Sequence, residues 1–202
     1  IVLAVLVVLF LAFQIFITMS TNKTEKQAYE VIHTAKGFEI RFYPSATMAS
    51  IVSSAKSHKE LGNSGFRQLA GYIFGGNDTG QKIAMTTPVH MDINDTLSSM
   101  SFVMPAEYNP NNLPRPKDAS IKITTVPEEH VAVLSFGGFA SDEMIKNNAE
   151  KLESLLKNNG ISHDGNFRYL GYNPPYQLFG RKNEIIVRVR WAEKATSTTP
   201  GI

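Results

Sequence analysis

The segment from Gly75 to Lys82 is the first place to look for nucleotide chemistry, because glycines and a lysine occur together in its sequence, GGNDTGQK. A phosphate-binding loop of the G-x-x-x-x-G-K-[ST] type needs lysine directly after the second spaced glycine, followed by serine or threonine. Here Gln81 occupies the lysine position, and Ile83 follows Lys82. We therefore interpret this segment as a turn and not as a nucleotide site.

Metal and nucleophile chemistry have little support in the sequence. The chain has no cysteine, which excludes disulfides, thiolate metal sites and a cysteine nucleophile. Its five histidines show no ligand spacing, and no serine lies in a G-x-S-x-G turn. No acid/base pair stands out along the sequence, although groups that are distant in sequence can meet in a fold.

Composition places the chain among globular proteins of one or two domains. Of its 202 residues, 43% are apolar and 19% are charged. The formal net charge is only +2, and no dense stripe of lysine and arginine occurs. The sequence therefore gives no support for nucleic-acid binding.

Residues 1–17 are uniformly apolar, with Gln14 as the only polar side chain. A helix of this length spans about 26 Å, slightly less than a hydrocarbon core of about 30 Å. The chain begins without methionine, and we expect preceding residues to complete the span. A cleaved signal peptide is the alternative, but residues 16–20 lack an A-x-A-like site. We predict a retained single-pass membrane anchor at residues 1–19, with the soluble domain on the extracytoplasmic side.

Polar composition predicts a linker at residues 20–28 before a domain at residues 29–191. Residues 192–202 have the composition of a loose tail. On this division, a chain that starts near Lys26 keeps every predicted strand and is expected to fold.

Hydrophobic periodicity in the domain predicts strands, a helix and strands, and then the same order again. The two predicted helices span residues 56–74 and 141–159, and Ser141 is a suitable N-cap. A proline-rich connector at 108–117 separates the halves. The predicted strands lie at residues 29–32, 38–43, 47–53, 89–93, 99–104, 121–126, 130–136, 168–172, 176–179 and 184–191. We predict an α+β fold, in which a duplicated unit brings antiparallel strands together with one helix per half.

Four segments of the domain carry a more specific signal when they are taken in order. They are F-E-I-R-F-Y at 38–43, K-I-A-M-T-T-P-V at 82–89, S-F-G-G-F at 135–139, and G-Y-N-P-P at 171–175 with F-G-R-K-N-E-I at 179–185. Their order and sequences resemble the SOUL haem-binding family, whose corresponding motifs include K-[IM]-x-M-T-x-P-V. The resemblance covers about residues 29–191, the whole predicted domain.

The resemblance implies a pseudo-twofold, distorted barrel that binds haem or another tetrapyrrole non-covalently. The ligand would lie in an apolar groove beside the first domain helix and the loop before the last strand. Because a tetrapyrrole is flat and apolar with two carboxylates at one edge, it requires an apolar slot with basic groups at its rim. The candidate ligand-binding residues are Lys59, Arg67, Met85, Tyr176, Arg181 and Lys182.

One position departs from the family pattern. Some members have histidine directly after the E-I-R strand, and that histidine has been proposed as an iron ligand. This chain has Phe42, which cannot bind iron. We therefore predict no metal ligand from the protein, with binding by apolar contact and propionate charge.

The sequence thus predicts a membrane-anchored tetrapyrrole-binding protein without catalysis of its own. Two alternatives stay open. The protein could be an enzyme that modifies the tetrapyrrole, for example by removing its iron. It could also be an effector-type binder of other planar amphipathic molecules, because small-molecule effector-binding domains resemble duplicated barrels of this type.

Overall fold

The computed structural model describes residues 1–94 and 96–191, so the predicted tail at 192–202 lies outside the described residues. The helices are α1 (Val2–Lys23), α2 (His58–Ile73) and α3 (Asp142–Asn158). The strands are β1 (Glu25–Lys26), β2 (Glu30–Ala35), β3 (Phe38–Tyr43), β4 (Ala46–Ser53), β5 (Thr86–Thr87), β6 (Val89–Asp92), β7 (Ser98–Val103), β8 (Lys122–Val126), β9 (Glu129–Gly137), β10 (His163–Gly171) and β11 (Lys182–Val189).

Strands β2–β4 and β6–β11 form one antiparallel sheet in the order β2-β3-β9-β11-β10-β6-β7-β4-β8, which confirms the α+β class. The order β-β-α-β-β occurs twice, as β3-β4-α2-β6-β7 and as β8-β9-α3-β10-β11, with the short β5 before β6. The halves meet where β6 pairs with β10. They also exchange their first strands, because β3 pairs with β9 and β8 pairs with β4. This order fits a duplicated unit, whereas closure into a barrel stays a prediction, since β2 and β8 end the strand order.

The two domain helices form where the sequence predicts them, because each has a cap and an apolar face. Ser57 caps α2 by accepting a hydrogen bond from the Glu60 N–H, and Ser141 caps α3 in the same way. Leu152 and Leu156 are the buried positions of α3. Helix α2 approaches the sheet closely at Gly65, where a Cβ atom would lie only 2.7 Å from the Ile51 side chain.

The N-terminal region differs from the expected linker. Helix α1 continues to Lys23, and Glu25–Lys26 then pairs in parallel with Thr86–Thr87. The Gln27 N–H extends this pairing by donating to the Thr87 carbonyl at 2.8 Å. A chain starting near Lys26 would therefore lose part of a strand. The pairing depends on backbone groups of a distant segment, so local composition did not reveal it.

The predicted strand at 176–179 is also wrong. Strand β10 ends at Gly171 and β11 begins at Lys182, and the residues between them form a loop. Pro174 and Pro175 lack the N–H groups that a strand ladder needs, and Gly180 has a positive φ of 61°. We call residues 172–181 the closing loop.

The sheet has two different faces. Its helix face packs under α2 and α3 and forms the main core, which includes Ile40, Leu69, Met100, Leu152 and Ile185. On the opposite face a smaller apolar cluster consists of Tyr43, Val131, Val133, Leu170, Tyr172 and Ile186. Because alternate residues of a strand point to opposite faces, neighbours in sequence can serve different faces.

Candidate functional site

Arg181 of the closing loop lies near the start of α2 on the helix face of the sheet, because its charge acts on both His58 and Tyr169. The His58 N–H donates to the Asp142 carboxylate at 2.5 Å, which joins the N-terminal ends of the two helices. The His58 ring packs edge-on against Tyr169 of β10, with ring centroids 4.9 Å apart. We call this region between α2 and the closing loop the groove.

Arg181 is the residue that holds the closing loop in its conformation. Its Nη1 atom donates to the carbonyls of Pro174 and Gln177 at 2.8 and 2.7 Å. The guanidinium also lies over the ring of Phe139, 4.4 Å from its centroid. The Nε atom is buried without a hydrogen-bond partner among the described residues. Arg181 is therefore a partly buried cation with one donor that no described residue satisfies.

The floor of the groove consists of neighbouring residues on β10 and β6. Tyr169 lies directly opposite Met91 in the antiparallel pair. Its hydroxyl donates to the Asn183 side chain at 2.7 Å, and Asn183 in turn donates to the Gly138 carbonyl at 2.9 Å. Burial raises the pKa of Tyr169 to about 12, so the hydroxyl keeps its proton at neutral pH. Tyr169 and Met91 are each only 5% exposed, so this floor belongs to the main core, and the Tyr169 hydroxyl is already engaged.

His58 is the imidazole beside this floor. Burial lowers its pKa, and the Asp142 carboxylate opposes this effect while the Arg181 charge adds to it. The ring is therefore neutral at neutral pH. The sequence did not indicate Tyr169 or Asn183 as site residues, because their contacts join elements that are far apart in the chain.

The predicted ligand residues occupy different parts of this region. Lys59 and Arg67 are exposed on α2, about 12 Å apart along its axis. Tyr176 is exposed on the closing loop, and Arg181 is the last residue of that loop. Met85 lies elsewhere. It is partly buried against the main core, two residues after Ile83, whose N–H donates to Ile73 at the far end of α2.

Lys182 does not join Arg181 in the groove. Its ammonium lies 2.9 Å from a Glu184 carboxylate oxygen and 4.3 Å from the centre of the Tyr172 ring, on the opposite face of the sheet. The two basic residues are adjacent in sequence, and β11 begins between them, so they point to opposite faces. The structure therefore assigns only Arg181 to the groove.

The predicted absence of a protein iron ligand stays a prediction. Phe42 is half-buried and packs against His130, with ring centroids 5.2 Å apart. His33 stacks on Trp191 at 5.3 Å. Within residues 1–94 and 96–191, no three His, Cys, Asp or Glu side chains are grouped to hold a metal ion.

Two surface depressions lie outside the groove. One of about 390 Å³ is lined by Glu153, Lys157, Gly160, Ile161, Ser162 and His163. The other, of about 210 Å³, is lined by Asp92, Glu129, Asp164, Gly165, Asn166, Arg168 and Arg188. Neither contains a predicted ligand residue, so the groove is assigned from its side chains and not from a cavity.

Solved structures support the fold alone. The C-terminal domain of EcmrR superposes with a TM-score of 0.59 at 10% sequence identity, covering 81% of this chain and 99% of that chain. An uncharacterized conserved protein from Listeria innocua superposes with a TM-score of 0.55 at 10% identity, covering 76% of this chain and 91% of that chain. Identities this low say nothing about ligands.

Sequence relatives are more specific. Residues 24–188 match the family model described as SOUL heme-binding protein. Heme-binding protein 2 of Mus musculus is 30% identical over 156 residues, which cover 73% of this chain and 76% of that protein. Heme-binding protein 1 of Xenopus laevis is 30% identical over 155 residues, which cover 73% of this chain and 81% of that protein. The match takes in both halves of the fold, β1 and the closing loop, and the chain therefore belongs to the SOUL haem-binding protein family.

Proposed function

We propose that this protein binds haem or a related tetrapyrrole non-covalently in the groove, and that α1 anchors it in a membrane. Family membership and the names of its relatives support a tetrapyrrole as the ligand. The position of Arg181 is the observation that carries the assignment to the groove. It is a partly buried cation of the closing loop that stacks on the ring of Phe139 and has one donor without a partner among the described residues.

The residues of the groove fit the chemistry of the ligand. A tetrapyrrole offers a flat apolar face, which matches the exposed ring of Phe139 beside Arg181. Its carboxylates need cations or N–H donors at the rim, which Arg181, Lys59 and Arg67 can supply. Charge-assisted hydrogen bonds of this kind are stronger than neutral ones, so they fix the orientation of the ligand.

The groove suits a binder better than an enzyme. The Tyr169 hydroxyl is held by Asn183, and the Arg181 Nη1 donors are held by loop carbonyls. Tyr169 also keeps its proton at neutral pH, because burial raises its pKa to about 12. Removal of iron by the protein is the competing function, and it would appear as free metal-free porphyrin.

The apolar helix supports the membrane anchor. Helix α1 has 22 residues and is long and apolar enough to cross a membrane. Its apolar residues 2–17 span about 24 Å of the roughly 30 Å hydrocarbon core, and the polar residues that follow extend the helix towards the interface. A signal sequence near the N-terminus has the same length and composition. Cell fractionation with N-terminal sequencing of the mature protein distinguishes the anchor from a signal sequence. A soluble mature form that begins near Ser20 would contradict the anchor.

The ligand assignment is tested by titrating the protein with haem, metal-free protoporphyrin and an unrelated planar dye. We expect both tetrapyrroles to bind and the dye not to bind. Arg67→Gln should weaken both, while Arg190→Gln is the matched control, because Arg190 is exposed and paired with Asp164. Equal binding of the dye would favour a general effector-type binder. Recovery of metal-free porphyrin after incubation with haem would favour an enzyme.

A further inference from the structure

Helix α1 is fastened to the closing loop by the single polar residue of its apolar segment. The buried Gln14 side chain donates to the Tyr176 carbonyl at 3.2 Å and accepts a hydrogen bond from the Leu178 N–H at 3.0 Å. Two turns later, the Thr21 hydroxyl donates to the Gln177 side chain at 3.0 Å. Both the amide nitrogen and the amide oxygen of Gln14 are hydrogen-bonded to the loop, so these bonds fix the position of the loop along the helix axis.

The same loop presents apolar side chains to the outside. Tyr176 is 58% exposed, Leu178 is 42% exposed and Phe179 is 60% exposed. Single exposed apolar residues are ordinary, but a contiguous group is typical of a binding surface. This group adjoins a helix whose apolar side chains are themselves exposed.

One environment suits both surfaces. The apolar part of α1 requires a hydrocarbon core, and its contact through Gln14 brings the closing loop beside it. Aromatic side chains are favoured at the boundary between lipid and water, where an amphipathic ring such as that of Tyr176 can satisfy both phases.

We propose that the closing loop dips into the interface of the bilayer that α1 enters, with Tyr176, Leu178 and Phe179 in contact with lipid. This inference rests on the proposed membrane anchor. Because the closing loop is one wall of the groove, the groove then opens at the membrane surface, where an apolar tetrapyrrole can enter from the lipid. Tyr176 accordingly contacts lipid and not the tetrapyrrole.

Depth-dependent quenching in lipid vesicles tests this contact with the full chain. Trp191 is the only tryptophan, so Trp191→Phe gives a background into which Phe179→Trp is introduced. The matched control is Phe74→Trp in the same background, since Phe74 is 65% exposed and follows α2 at the end away from the closing loop. The two ends of α2 are about 24 Å apart.

The proteins are reconstituted in phosphatidylcholine vesicles that carry brominated acyl chains. We expect the Phe179→Trp variant to be quenched at least about threefold more strongly than the Phe74→Trp variant, because only the first indole lies at the apolar boundary. Its emission should also move to shorter wavelength when vesicles are added. A haem titration of each variant verifies that the groove is intact.

The other outcomes separate the loop contact from the anchor. If the protein does not co-migrate with the vesicles in flotation, the proposed anchor is wrong, and the proposed contact of the loop with lipid is then wrong as well. If it floats but the two variants are quenched equally, the anchor stands and the loop contact is wrong. If haem but not brominated lipid quenches the Phe179→Trp variant, the loop belongs to the ligand site and the proposal is overturned.

Discussion

The cations on the two faces of the sheet differ in whether a carboxylate partners them. On the face opposite the helices, Arg41 and Lys182 share the buried Glu184 carboxylate at 3.0 and 2.9 Å. In the groove on the helix face, Arg181 bonds only loop carbonyls and keeps a buried Nε atom without a partner among the described residues. A cation that is already paired with a carboxylate of the protein stabilises the fold. A cation that bonds only backbone carbonyls can instead donate hydrogen bonds to the carboxylates of a ligand.

The ion pairs and hydrogen bonds around Glu184 on the opposite face form a structural network. Burial alone would raise the pKa of Glu184, but the Tyr172 hydroxyl and the charges of Arg41 and Lys182 bring it below its ordinary value. Tyr172 donates to one Glu184 oxygen at 2.6 Å, and Ser135 donates to the other at 3.1 Å. Glu184 is therefore ionised and fully engaged at neutral pH.

The largest expected effect comes from breaking this network with Glu184→Gln. The change removes the fully buried counter-charge of Arg41 and leaves it paired with Glu39 at 2.6 Å. We expect a loss of about 1.5–3 kcal/mol of unfolding free energy, the range for hydrogen bonds to charged groups. Denaturant unfolding measures the loss. Haem affinity of the folded protein should stay within about twofold, a difference of roughly 0.4 kcal/mol. A stable variant with weakened haem binding would reverse the roles of the two faces.

A pH titration of stability sharpens the comparison through His90, which lies on the opposite face. Burial, with a smaller contribution from the Arg168 charge, lowers its pKa from 6.5 to about 3. Below pH 6.5 the unfolded chain binds a proton at His90, whereas the folded protein keeps the ring neutral. The contribution of His90 to the unfolding free energy is therefore complete above pH 6.5 and is lost as pH falls towards about 3. The expected slope is about 1.4 kcal/mol per pH unit.

The matched variant for this titration is His90→Gln, which retains a polar side chain near Gln27 but cannot titrate. His90 accepts or donates one hydrogen bond with the Gln27 amide at 2.7 Å. The variant should lose the His90 share of the slope and retain that of His58, whose pKa is also lowered by burial. Identical slopes in the two proteins would show that His90 does not carry the acid sensitivity.

On the groove side, Arg67→Ala should weaken haem and metal-free protoporphyrin by similar factors. Loss of a hydrogen bond to a charged group removes about 1–3 kcal/mol of binding free energy. Arg67 is exposed, so thermal unfolding without ligand should not change. A fall in stability without a change in affinity would remove Arg67 from the rim.

The smallest expected difference is between haem and its metal-free form. With Phe42 in place of a histidine, their affinities should agree within about tenfold, or 1.4 kcal/mol. Competitive titration followed by absorption spectroscopy measures this. A six-coordinate low-spin spectrum that is lost in His58→Ala, but kept in the control His33→Ala, would show that the protein supplies an iron ligand.

Local sequence was sufficient for elements whose signals lie within one segment. The cap at Ser141 and the apolar spacing of Leu152 and Leu156 predicted α3, and the prolines at 108–117 predicted the connector. It was insufficient at residues 176–179, whose apolar run is typical of a strand. There the Arg181 bonds to loop carbonyls and the upstream prolines determine the conformation.

The site was harder to predict than the fold, because its geometry depends on where strands begin. The sequence pattern predicted that the last strand begins at residue 184. Arg181 and Lys182 then lay outside the strand, so the pattern did not predict the face of the sheet on which either lies. The strand in fact begins at Lys182, so the two side chains diverge. Tyr169 and Asn183 were missed because their contact depends on the register between β10 and β11, which local patterns do not encode.

The most direct test of this account is a paired haem titration of Arg181→Gln and Lys182→Gln, since these neighbours serve opposite faces of the sheet. We expect Arg181→Gln to weaken haem binding by about tenfold or more, because it removes a charge-assisted contact of at least 1.4 kcal/mol. Lys182→Gln should leave haem affinity unchanged and lower the unfolding free energy, since Glu184 loses a counter-charge. Unchanged affinity in Arg181→Gln, or an equal loss in both variants, would contradict the assignment of the ligand to the helix face.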